Sequence, residues 1–245
     1  MIEVSIITPT YQRRPFIPTL IQIYEQQTYP KEKMEWIIVD DGRDKVEDLF
    51  KEAAKTIPNV RYVYHPEKLR IGEKRNMLNK LAKGNIIIAM DDDDYYPPHR
   101  VQTVVDEFNK QPTIDLAGSS KMYLYFMDLK RIYSIGPHGD NHATNGTMAW
   151  RKRYSDKHQY DNFVTKGEEL SFLDEYRHPM IQLDPFSAIL VMCHTDNTLD
   201  KTKLRQEHEK SSHPKRMMPT SLQLKDFVSN AALLDFYENL STHLE

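Results

Sequence analysis

Ile86-Ile87-Ile88-Ala89-Met90-Asp91-Asp92-Asp93-Asp94 sets five apolar residues directly before four aspartates. A short apolar run of this kind fits a strand buried on both faces, and such strands belong to parallel sheets covered on both sides. Working outward, Val4–Thr8, Trp36–Asp40 and Val60–Tyr64 are further short β-rich runs. Between them the apolar spacing changes to i, i+3, i+4, i+7. Ile17, Leu20, Ile21 and Tyr24 follow it, as do Val46, Leu49, Phe50 and Ala53, then Val101, Val104, Val105 and Phe108. Strands alternating with amphipathic helices predict an α/β fold: a Rossmann-like, mostly parallel sheet flanked by helices and joined by right-handed crossovers.

Beyond about residue 115 the alternation breaks down. Met122–Asp128 and Arg131–Ile135 suit a hairpin, His138–Thr147 a polar loop, Gly167–Tyr176 a short helix and Ile189–Cys193 another strand. Lys201–Arg216 is strongly basic and aperiodic, which predicts a mobile loop. Leu224, Phe227, Val228 and Ala231 return to helical spacing and predict a closing helix.

Composition excludes several function classes. The 245 residues carry 33 Lys+Arg against 36 Asp+Glu, a net charge of −3, without the basic excess of a nucleic-acid binder. Only eight glycines occur, at 42, 72, 84, 118, 136, 139, 146 and 167. None lie two or five positions apart, which excludes both the G-x-G-x-x-G turn and the G-x-x-x-x-G-K phosphate loop. A nucleotide held here needs another means of neutralising its phosphates. The single cysteine, Cys193, forms no internal disulfide and no cysteine-based zinc site, so a reducing compartment is expected. No apolar run approaches the roughly 20 residues of a membrane helix. No early basic segment marks a signal peptide, and the expected location is cytoplasmic.

Ligands of open parallel sheets bind beyond the carboxyl ends of the strands. Three segments lie there: Thr8-Pro9-Thr10-Tyr11-Gln12-Arg13, Asp40-Asp41-Gly42 and Asp91–Asp94. One or two aspartates would serve as a cap for the helix expected near Pro97. Four in a partly desolvated crevice repel one another, and a hard divalent cation relieves that repulsion.

Taken together, Ser5–Arg13, Ile37–Gly42, Gly72-Glu73-Lys74-Arg75-Asn76, Ala89–Asp94 and Pro98 resemble, in order and spacing, family 2 glycosyltransferases of the GT-A fold. The resemblance covers about the first 110 residues. It implies inverting transfer of a sugar from a nucleotide-diphosphate donor, with Mn²⁺ or Mg²⁺ at a D-x-D site. The whole chain would be a single domain. Residues 1–115 would form the nucleotide-sugar half, 116–200 the acceptor and catalytic half, and 201–245 a basic lid with a C-terminal helix.

Carried over residue by residue, Thr8, Pro9, Tyr11 and Arg13 would line the base and ribose pocket. Asp41 would accept a hydrogen bond from the base, and Arg75 would reach the diphosphate. Asp91 and Asp92 would meet ribose and metal, with Asp93 the main metal ligand. Each has a plainer alternative: Tyr11 packing on the sheet edge, Asp41 as a turn residue, Arg75 as a solvated helix charge. The family's acidic pair at the start of a helix corresponds to Glu168-Glu169, which makes Glu169 the general-base candidate and Glu168 its support. Glutamate in place of the usual aspartate leaves open which of the two acts. His194, after the last strand, would be a further metal ligand or a structural histidine. His138, His142 and His178 are weaker competitors. Lys203, Arg205 and Lys215 belong to the expected lid over the diphosphate. Trp150 would stack on an acceptor sugar or pack inside the protein.

The expected activity is transfer of a single sugar from a nucleotide sugar, a UDP-sugar by family precedent, to a hydroxyl of a growing glycan or other acceptor. Neither a Q-x-x-R-W motif nor membrane helices, the marks of processive synthases in this family, are seen. The alternatives are a sugar-phosphate nucleotidyltransferase, which normally has a glycine-rich N-terminal loop, and a non-catalytic nucleotide-sugar-binding protein.

Overall fold

The computed structural model describes residues 1–195, 197, 200–212 and 217–240. Along the chain run β1 (Val4–Thr10), α1 (Ile17–Glu25), β2 (Met34–Asp40), α2 (Glu47–Ala53), β3 (Val60–Tyr64), α3 (Ile71–Leu81), β4 (Ile86–Ala89), α4 (Arg100–Lys110) and β5 (Leu116–Gly118). They are followed by β6 (Met122–Phe126), β7 (Arg131–Ile135), β8 (Ala149–Arg151), α5 (Lys152–Ser155), α6 (Glu169–Phe172) and β9 (Met180–Gln182). The last are α7 (Pro185–Ala188), β10 (Leu190–Cys193), α8 (Lys201–Glu209), β11 (Met218–Pro219) and α9 (Ala231–Glu238).

Seven strands form a sheet in the order β3-β2-β1-β4-β8-β5-β9, in which β1 to β4 are parallel and β8 runs against both its neighbours. Register accounts for the continuous apolar runs. Ile6 lies beside Trp36 and Ile88, while Ile7 lies beside Ile37 and Ala89. The two rows face opposite sides of the sheet, and each joins its own buried cluster. The first cluster takes in Leu20, Tyr24, Phe50, Val104 and Phe108 from α1, α2 and α4. The second takes in Leu78, Trp150, Tyr154, Tyr160 and Phe172. A second sheet, β10-β6-β7-β11, contains the expected hairpin of β6 and β7. It meets the strand-4 loop through an antiparallel bridge between Tyr95 and Leu190.

Three expectations change, and one open reading is decided. Lys201–Glu209 is helical, not a mobile loop. Asp200 caps it by accepting from the Lys203 amide at 2.8 Å, and Arg205 holds it down through Asp128 and the Phe126 ring. A polar anchor of this kind leaves no apolar stripe to detect. Lys215 lies outside the described residues, as do Asp196 and Thr198. The closing helix begins at Ala231, with Asn230 as its cap, and Leu224–Asp226 is only a 3-10 turn. The helix expected over Gly167–Tyr176 shrinks to Glu169–Phe172, because Asp174, Glu175 and Tyr176 adopt left-handed backbone with φ of 48°, 55° and 63°. Trp150 is fully buried, edge-on to Phe172, so it is a core residue and offers no face to a sugar.

Truncating Trp150 to alanine is therefore expected to cost about 3–5 kcal/mol of stability. The midpoint of urea unfolding measures this, and a loss below about 1 kcal/mol would contradict the packing described.

Candidate active site

The carboxyl ends of the parallel strands open into a cleft of about 940 Å³. Pro9–Arg13 line it from the end of β1, and Lys68–Ile71 with Lys74 and Arg75 from the start of α3. Asp91–Asp94 enter from β4, Asn145 and Gly146 from the loop before β8, and Thr165–Glu169 from the segment entering α6. Asn197 and Lys201 complete the wall.

The four aspartates have separate environments. Asp91 takes both its contacts from Arg75, at 3.0 and 3.3 Å. Asp94 accepts from the Met192 amide at 2.8 Å, at the second sheet. Asp92 and Asp93 each lie 3.7 Å from Arg13. Burial, followed by the charge of Asp93, pushes the Asp92 carboxyl up to about 8. Partial burial opposes the charge of Asp93 as well, yet His194, Lys201 and Arg13 hold it down to about 2. Of the Asp92–Asp93 pair, Asp93 is thus the one that carries the negative charge. His194 Nε2 faces Asp93 Oδ2 at 3.2 Å and Asn197 Nδ2 at 2.9 Å, while its ring packs against Phe16. Lys201 remains charged in spite of burial, because Asp94 and Asp93 lie near it.

Arg75 occupies the centre. Its side chain is 4% exposed, and Nε donates to Glu168 at 2.8 Å while the guanidinium spans to Asp91. Burial opposes its charge, but the two carboxylates hold it above the ordinary arginine value. Close approach makes this bridge possible. A Cβ on Gly72 would come within 2.0 Å of the Asp161 carbonyl, so only glycine lets α3 lie against the 161–169 segment. Asn76 reinforces the contact by donating to the Tyr160 carbonyl at 2.7 Å. Gly167, at φ +64°, turns the chain so that Glu168 points inward.

The two glutamates differ accordingly. Glu168 is buried and held by Arg75. Glu169 lines the cleft and has no ion-pair partner among the described residues; burial raises its carboxyl above the ordinary glutamate value.

Pro9, Tyr11 and Arg13 line the cleft, and Tyr11 has Lys68 4.0 Å above its ring. Two expectations are corrected. Thr8 does not reach the cleft: its hydroxyl donates to the Met90 carbonyl at 2.8 Å and accepts from Trp36 Nε1 at 3.0 Å, inside the sheet. Asp41 is 0% exposed, held by Lys74 and by the Leu69 amide at 2.7 Å. Arg75 lines the cleft while its guanidinium is paired with Asp91 and Glu168. Asp91 in turn does not join Asp93 and His194 in a three-ligand metal group, and no such group occurs among the described residues. Sequence reading passed over Lys74, although it lies in the quoted Gly72–Asn76 motif, and Lys201, which was seen only as the first residue of the basic lid. His138 packs at a tilt on His142, which stacks on Tyr176, and His178 sits against Asp174; none of the three lines the cleft.

The family model described as "Glycosyl transferase family 2" matches residues 5–164. The chain belongs to this family. An uncharacterized glycosyltransferase of Haemophilus influenzae is 31% identical over 111 residues, which is 45% of this chain and 36% of that protein. A poly(ribitol-phosphate) beta-glucosyltransferase of Bacillus spizizenii is 34% identical over 95 residues, 38% of this chain and 15% of its own length. The chain thus spans little more than a third of the first relative and a sixth of the second. Among solved structures, the mannosyltransferase PcManGT of Pyrobaculum calidifontis in complex with GDP-Man and Mn²⁺ has a TM-score of 0.65 at 16% identity. That match covers 84% of this chain and 61% of that one. S. aureus TarS 1-349 with UDP-GlcNAc has a TM-score of 0.64 at 15% identity, covering 87% and 68%. The family's GT-A fold is therefore the fold of this chain. Among the described residues no helix is long and apolar enough to cross a membrane.

Removing the Arg75 guanidinium strands two carboxylates. Arg75→Met is expected to lower stability by about 3–5 kcal/mol, because an unpaired buried charge remains. Differential scanning calorimetry reads the effect, and an unchanged Tm would show that the bridge has no structural weight.

Proposed function

We propose that the chain is a metal-dependent inverting glycosyltransferase. It would move a single sugar from a nucleotide-diphosphate donor, a UDP-sugar by preference, to a hydroxyl of a glycan or related acceptor. One observation carries this reading: a single cleft holds an ionised aspartate backed by a histidine just behind its wall and, from a separate segment, a half-buried glutamate with no ion pair among the described residues. Family membership weighs against a nucleotidyltransferase. The named donors of PcManGT and TarS, GDP-Man and UDP-GlcNAc, support the donor class. The poly(ribitol-phosphate) and chondroitin named for other relatives support a polymeric acceptor.

The donor set fits a divalent cation. Two ligands about 2.1 Å from one octahedral ion stand about 3.0 Å apart on neighbouring vertices. Asp93 Oδ2 and His194 Nε2, at 3.2 Å, already have that spacing. These two would hold the ion, with donor oxygens and water filling the remaining positions. When bound, it supplies positive charge to the departing diphosphate.

The chain's own groups do the rest. Glu169 takes the proton from the acceptor hydroxyl as its oxygen attacks the anomeric carbon from the side opposite the diphosphate, which inverts the configuration. Burial raises the basicity of Glu169. Glu168, paired with Arg75, fixes the segment that carries Glu169. Arg13 and Lys201 add positive charge along the same wall.

Glu169→Gln should lower turnover by about 10²–10⁴ while leaving donor affinity unchanged. Because Glu169 acts unprotonated and its pKa is raised, kcat should fall as pH drops through a value above that of an ordinary glutamate, and the variant should lose that acid limb. Full turnover in the Gln variant would remove Glu169 as the base. Asp93→Ala should abolish Mn²⁺-dependent donor binding in titration calorimetry, and an unchanged isotherm would overturn the cation assignment. Slow Mn²⁺-dependent release of nucleoside diphosphate without acceptor separates a transferase from a protein that only binds the donor.

A further inference from the structure

A carboxylate that reads a nucleobase must present an oxygen to it. Asp41 has none to present: it is 0% exposed, one oxygen is taken by Lys74, and the other accepts from the Leu69 amide at 2.7 Å. Lys74 stands between Asp41 and the cleft. Its side chain is 6% exposed, and its ammonium lies in the cleft wall together with Tyr11, Leu69 and Ile71, an aromatic and aliphatic surround suited to a flat ring.

An ammonium has three N–H donors and no acceptor. Lys74 gives one to Asp41 and one to the Thr10 carbonyl at 3.0 Å. The third has no partner among the described residues. A buried donor of this kind is satisfied only by an acceptor, and an amino group brought against it leaves two donors facing each other. The nucleobases differ at just this point. Uracil and guanine carry a carbonyl oxygen on the edge where cytosine and adenine carry an amino group.

We propose that Lys74 is the base-specificity residue of the cleft, selecting donors whose base presents a carbonyl (uracil or guanine) over those that present an amino group (cytosine or adenine). This rests on the donor site proposed above. The paired Asp41 holds the Lys74 side chain in place, so it acts through Lys74 as a positioning residue.

The test is titration of the whole chain with UDP, GDP, CDP and ADP, each with excess Mn²⁺. UDP and GDP should bind roughly 10- to 100-fold more tightly than CDP and ADP, the range expected for one unsatisfied buried donor. Lys74→Gln, whose amide can donate or accept, should bring the four affinities together without loss of fold in thermal unfolding. Lys74→Met/Asp41→Asn, which removes donor and counter-charge together, should do the same if the glutamine variant is unstable. The proposal is overturned if CDP or ADP binds wild type within about threefold of UDP and GDP, or if the ranking survives in either folded variant. Binding of all four without preference defeats the role of Lys74 alone and leaves the transferase reading standing. Binding of none defeats both.

Discussion

The guanidinium of Arg75, held out of water between Asp91 and Glu168, is the constraint on which the cleft depends. A buried cation persists only with its charge matched and its donors satisfied. Meeting that requirement draws the end of β4 and the segment entering α6 onto the same helix, α3. The donor carboxylates and the candidate base are thereby fixed relative to each other by one residue. Gly72 and Asn76, on either side of Arg75 in the same helix, support the arrangement: one permits the close approach and the other ties the Tyr160 backbone.

The sheet contributes direction. Four parallel strands end at the same edge, so loops far apart in sequence share one rim. The charges on that rim are sorted into pairs: Asp91 with Arg75, Asp41 with Lys74, and Asp93 with His194. Of the Glu168-Glu169 pair, Glu168 is held by Arg75 and Glu169 has no ion-pair partner among the described residues. That difference distinguishes it from Glu168, next to it in sequence.

Much of this was legible in the sequence, and what was not has physical causes. β1, β2 and β4 were plain because both faces are apolar, and α1, α2 and α4 because each buries one stripe. The helix α3 escaped periodicity because its buried face includes the polar residues Lys74, Arg75, Asn76 and Asn79. The α8 segment looked loose because it is anchored by Arg205 and not by apolar side chains. Thr8 and Asp41 occupy the expected strand ends, but strand position does not say what a side chain meets. Thr8 meets Trp36 and the Met90 carbonyl inside the sheet, and the partner of Asp41 lies 33 residues away. Membership of the family places residues at the rim; it does not place their counter-ions.

Asp93 follows a strand of the first sheet, whereas His194 follows a strand of the second, and the bridge of Tyr95 to Leu190 is the joint between them. Their 3.2 Å separation is therefore a gauge of the angle between the two sheets. Whatever binds both residues acts as a rivet through that joint. Side chains buried between the sheets, remote from any ligand, thus help to set how firmly the rivet holds.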